Sequence, residues 1–294
     1  YTGGGCPHIL AEPQRTNLLT YSEDFSQSFW TKSSVTLTTG FVSPDGTTNA
    51  SKLVSTGADG SMQNSYTVSS GTTYTISVYL KTVSGTLDTT IGLGSPGFPQ
   101  NEGTGGRYKN ITVTNEWQRY SLTSTADASA ASGVGFGGFS GFSTGEEVLI
   151  WGIQLEESAY PTSYIPTSGS SVTRNQDIFT RDGIGSLINS TEGVLFTEIA
   201  ALYDDGVGKY YSLSDGTSSN RIRIGYSLTD NSIRALVISQ GTNVFDYTHT
   251  ISNIELFSKI ALSYKQDDFS FWIDGVEVHT DTSGNTPTAL SRLA

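Results

Sequence analysis

Three kinds of residue in this 294-residue chain could do chemistry: scattered carboxylates, three histidines, and a large set of aromatics that includes 15 tyrosines. Retaining hydrolysis of a glycoside needs two carboxyl groups about 5–5.5 Å apart, which a strand supplies by alternating them on one face. No such run occurs. Glu198 is followed by Ile199-Ala200-Ala201, and Asp267 and Asp268 are adjacent, so on a strand they point to opposite faces. His8, His249 and His279 stand apart from one another and from any nucleophile motif. The chain therefore reads as a non-enzyme. Asp204-Asp205-Gly206 and Asp45-Gly46 could offer oxygen ligands to Ca²⁺, although Asp-Gly is equally the signature of a plain turn.

The aromatics are the sharper candidates, because a ring flanked by hydrogen-bonding side chains suits an amphipathic ligand such as a sugar. In the first half these are Trp30, Tyr66, Tyr79, Phe98 and Tyr108, near a long loop at 95–106. In the second half they are Tyr203, Tyr210 and Tyr247, with Asp204 and Asp205 close by in sequence. Trp117, Trp151 and Trp272 sit inside strand patterns and read as core. Trp30 also leans toward packing, the usual fate of a single Trp in a β-sandwich.

The elements that must position these residues are strands. Hydrophobic residues make up 35% and charged residues only 15%, a balance that suits a folded all-β chain with uncharged polar outer faces. The length points to two domains. The net charge of −12 argues against a nucleic-acid partner, whose affinity comes mainly from Lys and Arg. With Cys6 alone there is no intrachain disulfide and no Cys cluster for zinc. No apolar run approaches bilayer length, so membrane insertion is not expected. The start, YTGGGCPHILAEPQRTN, lacks a basic segment followed by an apolar one and does not read as a signal peptide. Beginning without Met, the chain reads as a piece of something longer.

The chain is organised around Val148–Pro166, a β-branched and aromatic run that ends in a Pro/Tyr/Ser exit. Before it, residues 1–17 form an extended lead-in and residues 18–157 a first sandwich. Its clearest strand is TYTISVYLK at 73–81, with Tyr74, Ile76, Val78 and Leu80 on one face and Thr75, Ser77, Tyr79 and Lys81 on the other. Arg107–Thr114 and Trp117–Ser124 are expected to pair across Asn115-Glu116. Residues 158–175 read as a linker and 176–294 as a second sandwich. There RIRIGYSL and SIRALVIS alternate well, and FSFWI pairs with the next strand across Asp274-Gly275, a type I′ hairpin signal. The fold class is all-β: two tandem antiparallel β-sandwiches, jelly rolls.

LAEPQRTNLLTYSEDFSQSFW at 10–30, the strands TYTISVYLK, WQRYSLTS and VLIWGIQLEE, and the exit ESAYPTSYIPTSGSSVTRNQD together resemble a carbohydrate-binding-module-like jelly roll found in many phage and phage-like structural proteins. SLSDGTSSNRIRIGY, FSKIALSYK and FSFWIDGVEV are similar to a concanavalin-A-like (laminin-G-type) lectin domain. That family continues past SRLA with further strands, so the second domain is expected to be C-terminally incomplete at Ala294. The resemblance implies a non-catalytic virion appendage protein, a tail or head fibre, at the virion surface. Its implied partners are cell-surface or extracellular polysaccharide and other virion proteins, and its implied state is a homo-oligomer. It requires no cofactor and leaves room for a structural Ca²⁺. Two alternatives are the carbohydrate-binding region of a secreted polysaccharide-degrading enzyme and a purely architectural spacer without ligand.

Overall fold

The computed structural model describes residues 9–139 and 141–294. Gly3-Gly4-Gly5, Cys6, Pro7 and His8 of the lead-in lie outside the described residues. The chain divides into two compact units, Tyr1–Asp177 and Ile178–Ala294. The described residues are all-β with no α-helix, and antiparallel sheets stack as sandwiches in each unit.

Unit 1 contains β1 (Arg15–Asn17), β2 (Thr31–Ser33), β3 (Val35–Phe41), β4 (Ala50–Ser55), β5 (Ser61–Val68) and β6 (Thr73–Thr82). It continues with β7 (Leu87–Gly92), β8 (Tyr108–Val113), β9 (Gln118–Thr125), β10 (Ala130–Gly137), β11 (Glu147–Glu156) and β12 (Val172–Arg174). One five-stranded sheet has the order β2-β5-β10-β7-β8, the other β3-β4-β11-β6-β9, and β1 pairs with β12 as a separate ribbon. The alternation of β6 sends Tyr74, Ile76, Val78 and Leu80 into the core, where they meet Met62, Ile91, Val134 and Phe136 of the facing sheet. The pairing expected across Asn115-Glu116 does not form. Instead β8 pairs with β7 and β9 with β6, so the chain changes sheet at that turn. Ile111 and Val113 enter the core from one sheet and Leu122 from the other. A short connection dictates nearness, and at a sandwich corner it joins strands across the core.

The outer face of β6 is also buried at Thr75 and Ser77, because the segment after β11 folds back over it. Thr162 donates both its N–H and its hydroxyl to the buried Glu156 carboxylate. Ile165 N–H donates to Gln154 Oε1 at 2.7 Å, and Ser163 N–H to Glu12 Oε1 at 2.7 Å. Arg119 bridges the two layers, donating to the Thr162 carbonyl at 2.6 Å and to Ser77 Oγ at 2.8 Å. Tyr164 packs on Trp151 at 4.6 Å, with Tyr79 beside both rings, and burial pushes its hydroxyl pKa up. Arg174 closes the strap on Glu12. The stretch expected to be a linker is thus tied into unit 1. Pro161 and Pro166 keep it from a regular ladder, and side chains of β11 and of Glu12 accept its N–H groups instead.

Unit 2 contains a 3-10 turn at Gly185–Leu187, then β13 (Glu192–Ile199), β14 (Lys209–Ser214), β15 (Arg221–Tyr226), β16 (Ser232–Ser239) and β17 (Thr242–Thr250). It ends with β18 (Ser258–Lys265), β19 (Asp268–Ile273), β20 (Val276–Asp281) and β21 (Arg292–Leu293). The four-stranded sheet runs β13-β18-β19-β20 and the five-stranded one β17-β16-β15-β14-β21. Leu195, Ile260, Leu262, Phe269 and Phe271 of the first pack against Ile222, Ile224, Ile233, Val237 and Phe245 of the second. Asp274 and Gly275 both adopt positive φ, 49° and 82°, as the type I′ turn between β19 and β20 requires.

Replacing Glu156 by Ala should leave the two Thr162 donors without an acceptor and lower unfolding stability by about 2–4 kcal/mol. Urea titration of the full chain measures this, with limited proteolysis at 158–174 as the local readout. An unchanged midpoint and an uncut strap would mean that the carboxylate does not hold it.

Candidate functional site

The structure disperses the aromatics singled out from sequence. Trp30, 2% exposed, lies in the core of unit 1, where its indole N–H donates to the Tyr21 carbonyl at 2.9 Å and its ring meets Phe25 and Phe29. Phe98, also 2% exposed, turns inward from the long loop against Tyr74. Tyr66 packs half-buried on the same Tyr74. Tyr79 is covered by the strap, between Trp151, Tyr164 and Arg119. Trp30 and Phe98 are thus core residues, while Tyr66 and Tyr79 remain half-buried.

Tyr108 is different, since it stacks on Phe139 at 4.9 Å with the Arg107 guanidinium over the far ring. A shallow pocket nearby in the same sheet is lined by Asp88, Thr89, Asn110, Ile111, Thr112 and Gly141, with no aromatic side chain. In unit 2, Tyr203 is exposed, Tyr210 lies under Arg223, and Tyr247 stacks on His279 at 4.0 Å against the core. Asp204 accepts the Asn231 N–H at 2.6 Å, and Asp205 accepts Val207 N–H and the Lys209 ammonium. These carboxylates order their own loops, and no group of three or more His, Cys, Asp or Glu converges among the described residues.

The residue missed from sequence is Trp272. In β19, Phe269, Phe271 and Ile273 point inward, so Trp272, out of phase with them, points outward and is 37% exposed. The same phase argument places Val194 and Phe196 of β13 outside, 63% and 59% exposed, while Leu195 and Ile199 are buried. Register aligns Phe196, Ala261 and Trp272 across three neighbouring strands. Phe196 and Trp272 therefore stand two strand spacings apart, roughly 9–10 Å, with only a methyl group between them. One row further along, the Ser263 and Ser270 hydroxyls pair at 2.7 Å, and the Trp272 indole N–H donates to Ser270 Oγ at 3.1 Å. Lys259 and Glu198, opposite each other in register, bound one end of this strip, and the Glu192–Lys265 pair bounds the other. The result is an exposed apolar strip with hydroxyl and charged neighbours on the outer face of three paired strands.

The same register bears on hydrolysis. Glu198 stands level with Lys259 and Asp268 with Lys265, six residues apart along β18, or about 20 Å. Carboxyl pairs of glycosidases lie within about 9.5 Å of each other. These two cannot act together.

No family model matches the chain, and no curated protein matches it. Among solved structures, it is similar to the CBM22-1–CBM22-2 tandem domain of Paenibacillus barcinonensis Xyn10C, with 15% identity and a TM-score of 0.36 over 97% of this chain and 90% of that one. The single CBM22-1 xylan-binding domain of the same protein matches at 14% identity and TM-score 0.35, over 49% of this chain and 94% of its own. The enzymatically active domain of bacteriophage CBA120 tailspike protein 4 matches at 19% identity and TM-score 0.32, over 45% of this chain and 20% of its own.

Two tryptophan substitutions separate core from platform. Trp272→Ala should change unfolding stability by less than about 1 kcal/mol, whereas Trp30→Ala should cost about 3–5 kcal/mol. Urea titrations of the two variants check this, and comparable losses would remove Trp272 from the surface.

Proposed function

We propose that the chain is a non-catalytic glycan-binding protein whose platform is the outer face of β13, β18 and β19. The observation that carries this reading is the Phe196–Ala261–Trp272 row beside the Ser263–Ser270 hydroxyl pair. Exposed rings on one sheet face can accept the apolar face of a pyranose, and adjacent hydroxyls and charges hydrogen-bond its rim. The setting proposed is a virion appendage such as a tail or head fibre, on the resemblance of the strand motifs. Several copies in a homo-oligomer would turn weak sites into avid ones. The alternative setting is a module of a secreted polysaccharide-degrading enzyme.

A second reading has the strip docking another protein chain, as an architectural spacer would. It is favoured by Val194, 63% exposed and opposite Ser263 on the same face, which extends the apolar surface beyond the two rings.

A glycan array and retention on immobilised neutral polysaccharides, with Trp272→Ala and Phe196→Ala as variants, test the first reading. Each variant should weaken binding about tenfold, roughly 1.4 kcal/mol, with its fold intact by circular dichroism. Binding unchanged in both variants would move the site elsewhere. Absence of binding together with an oligomer that Trp272→Ala dissociates, seen by light scattering, would favour the docking reading.

A further inference from the structure

The opposite face of unit 2 has the reverse chemistry. The whole chain holds 16 Lys and Arg against 28 Asp and Glu, yet the outer face of the five-stranded sheet gathers Arg221, Arg223 and Arg234. Alternation puts them there: Ile222 and Ile224 of β15, and Ile233, Ala235 and Val237 of β16, are buried inward. Register sets Gly225 opposite Arg234 and Tyr210 opposite Gly225, so no side chain separates the Tyr210 and Arg234 positions. The Arg223 guanidinium lies over the Tyr210 ring at 4.0 Å.

The three cations are not equally satisfied. Arg234 forms a two-pronged pair with Asp246, at 2.7 Å and 2.5 Å, and is neutralised. Arg221 and Arg223 have no carboxylate partner among the described residues, and the Nε atom of each is buried without a hydrogen-bond partner. Outward-facing Leu236 and Ile238 are nonetheless buried, with Arg223 and Arg221 opposite them in register. Aliphatic arginine stems laid across such residues leave their forks at the surface. Burial, and then repulsion from Arg221 and Arg234, lowers the Arg223 pKa, while Tyr210 and the more distant Asp246 carboxylate oppose the shift. An arriving anion would relieve that repulsion and meet donors in fork geometry.

We propose that the outer face of the five-stranded sheet of unit 2 binds the carboxylate or sulfate groups of an acidic polysaccharide through Arg221 and Arg223. Tyr210 holds the Arg223 fork and Arg234–Asp246 bounds the site. The proposal rests on the glycan-binding reading and names a ligand class for a second face. A net charge of −12 disfavours densely charged duplex DNA, whereas charges spaced along a sugar chain need engage only the two free forks.

The test measures retention of the full chain on polygalacturonate, on heparin and on neutral xylan, with duplex DNA as a polyanion control. The variants are Trp272→Ala and the double variant Arg221→Gln/Arg223→Gln, each checked for folding by circular dichroism. The double variant should lose about tenfold or more in affinity for polygalacturonate or heparin and keep neutral binding unchanged. The stronger of the two acidic ligands tells carboxylate from sulfate. Added salt should weaken acidic binding of the parent chain and have much less effect on the variant. Neither acidic polymer binding, or either binding equally well without the two arginines, would overturn the proposal. So would equal, arginine-dependent binding of DNA. Loss of neutral binding in Trp272→Ala alone concerns the platform and leaves this face standing.

Discussion

Unit 1 depends on one constraint: a backbone segment that cannot join a ladder must still have its N–H groups satisfied when buried. Glu156, Gln154 and Glu12 accept from Thr162, Ile165 and Ser163. A buried carboxylate that accepts two hydrogen bonds is tolerable where an unpaired one is not. Arg119 ties the strap to β6 by donating on both sides. This network converts an outer sheet face into a second interior layer, and it packs Tyr79 and Trp151 against Tyr164.

Unit 2 has no equivalent cover over Phe196 and Trp272, and its two sheets stay chemically distinct outside. Alternation puts most of the isoleucine, leucine and phenylalanine inward from both sheets and gives the opposite parity a different composition on each. On β13 and β19 that parity carries Phe196 and Trp272; on β15 and β16 it carries Arg221, Arg223 and Arg234. An apolar, hydroxyl-flanked face and a guanidinium face thus share one small core. Each rests on side chains whose backbone the sandwich already holds rigid, the condition under which weak contacts add up to recognition.

Strand positions were legible in the sequence because period-2 patterning is local. TYTISVYLK, RIRIGYSL and SIRALVIS became β6, β15 and β16, and Asp274-Gly275 made its turn. The candidate site was less legible. Trp30 is packing, as a single Trp in a β-sandwich suggests, and Phe98, a candidate by its place in a long loop, is packing as well. Trp272 was weighed by its strand, although its phase against Phe269 and Phe271 already pointed outward. Phase was the available signal for a platform residue, and aromatic character was a poor substitute for it.

The amino-acid order by itself determined that the chain is all-β, that strands punctuated by Gly, Pro and Asn turns would stack as sandwiches, and which side of an alternating strand is apolar. These follow from backbone geometry within a few residues. Only the tertiary structure decided which strands lie side by side, as when β8 and β9 went to different sheets. It alone laid residues 158–174 over unit 1, and it alone aligned Phe196 with Trp272 and Arg223 with Tyr210. Those outcomes depend on hydrogen-bond partners and register between segments far apart in the chain, where no local pattern specifies which acceptor or which neighbour a side chain will meet.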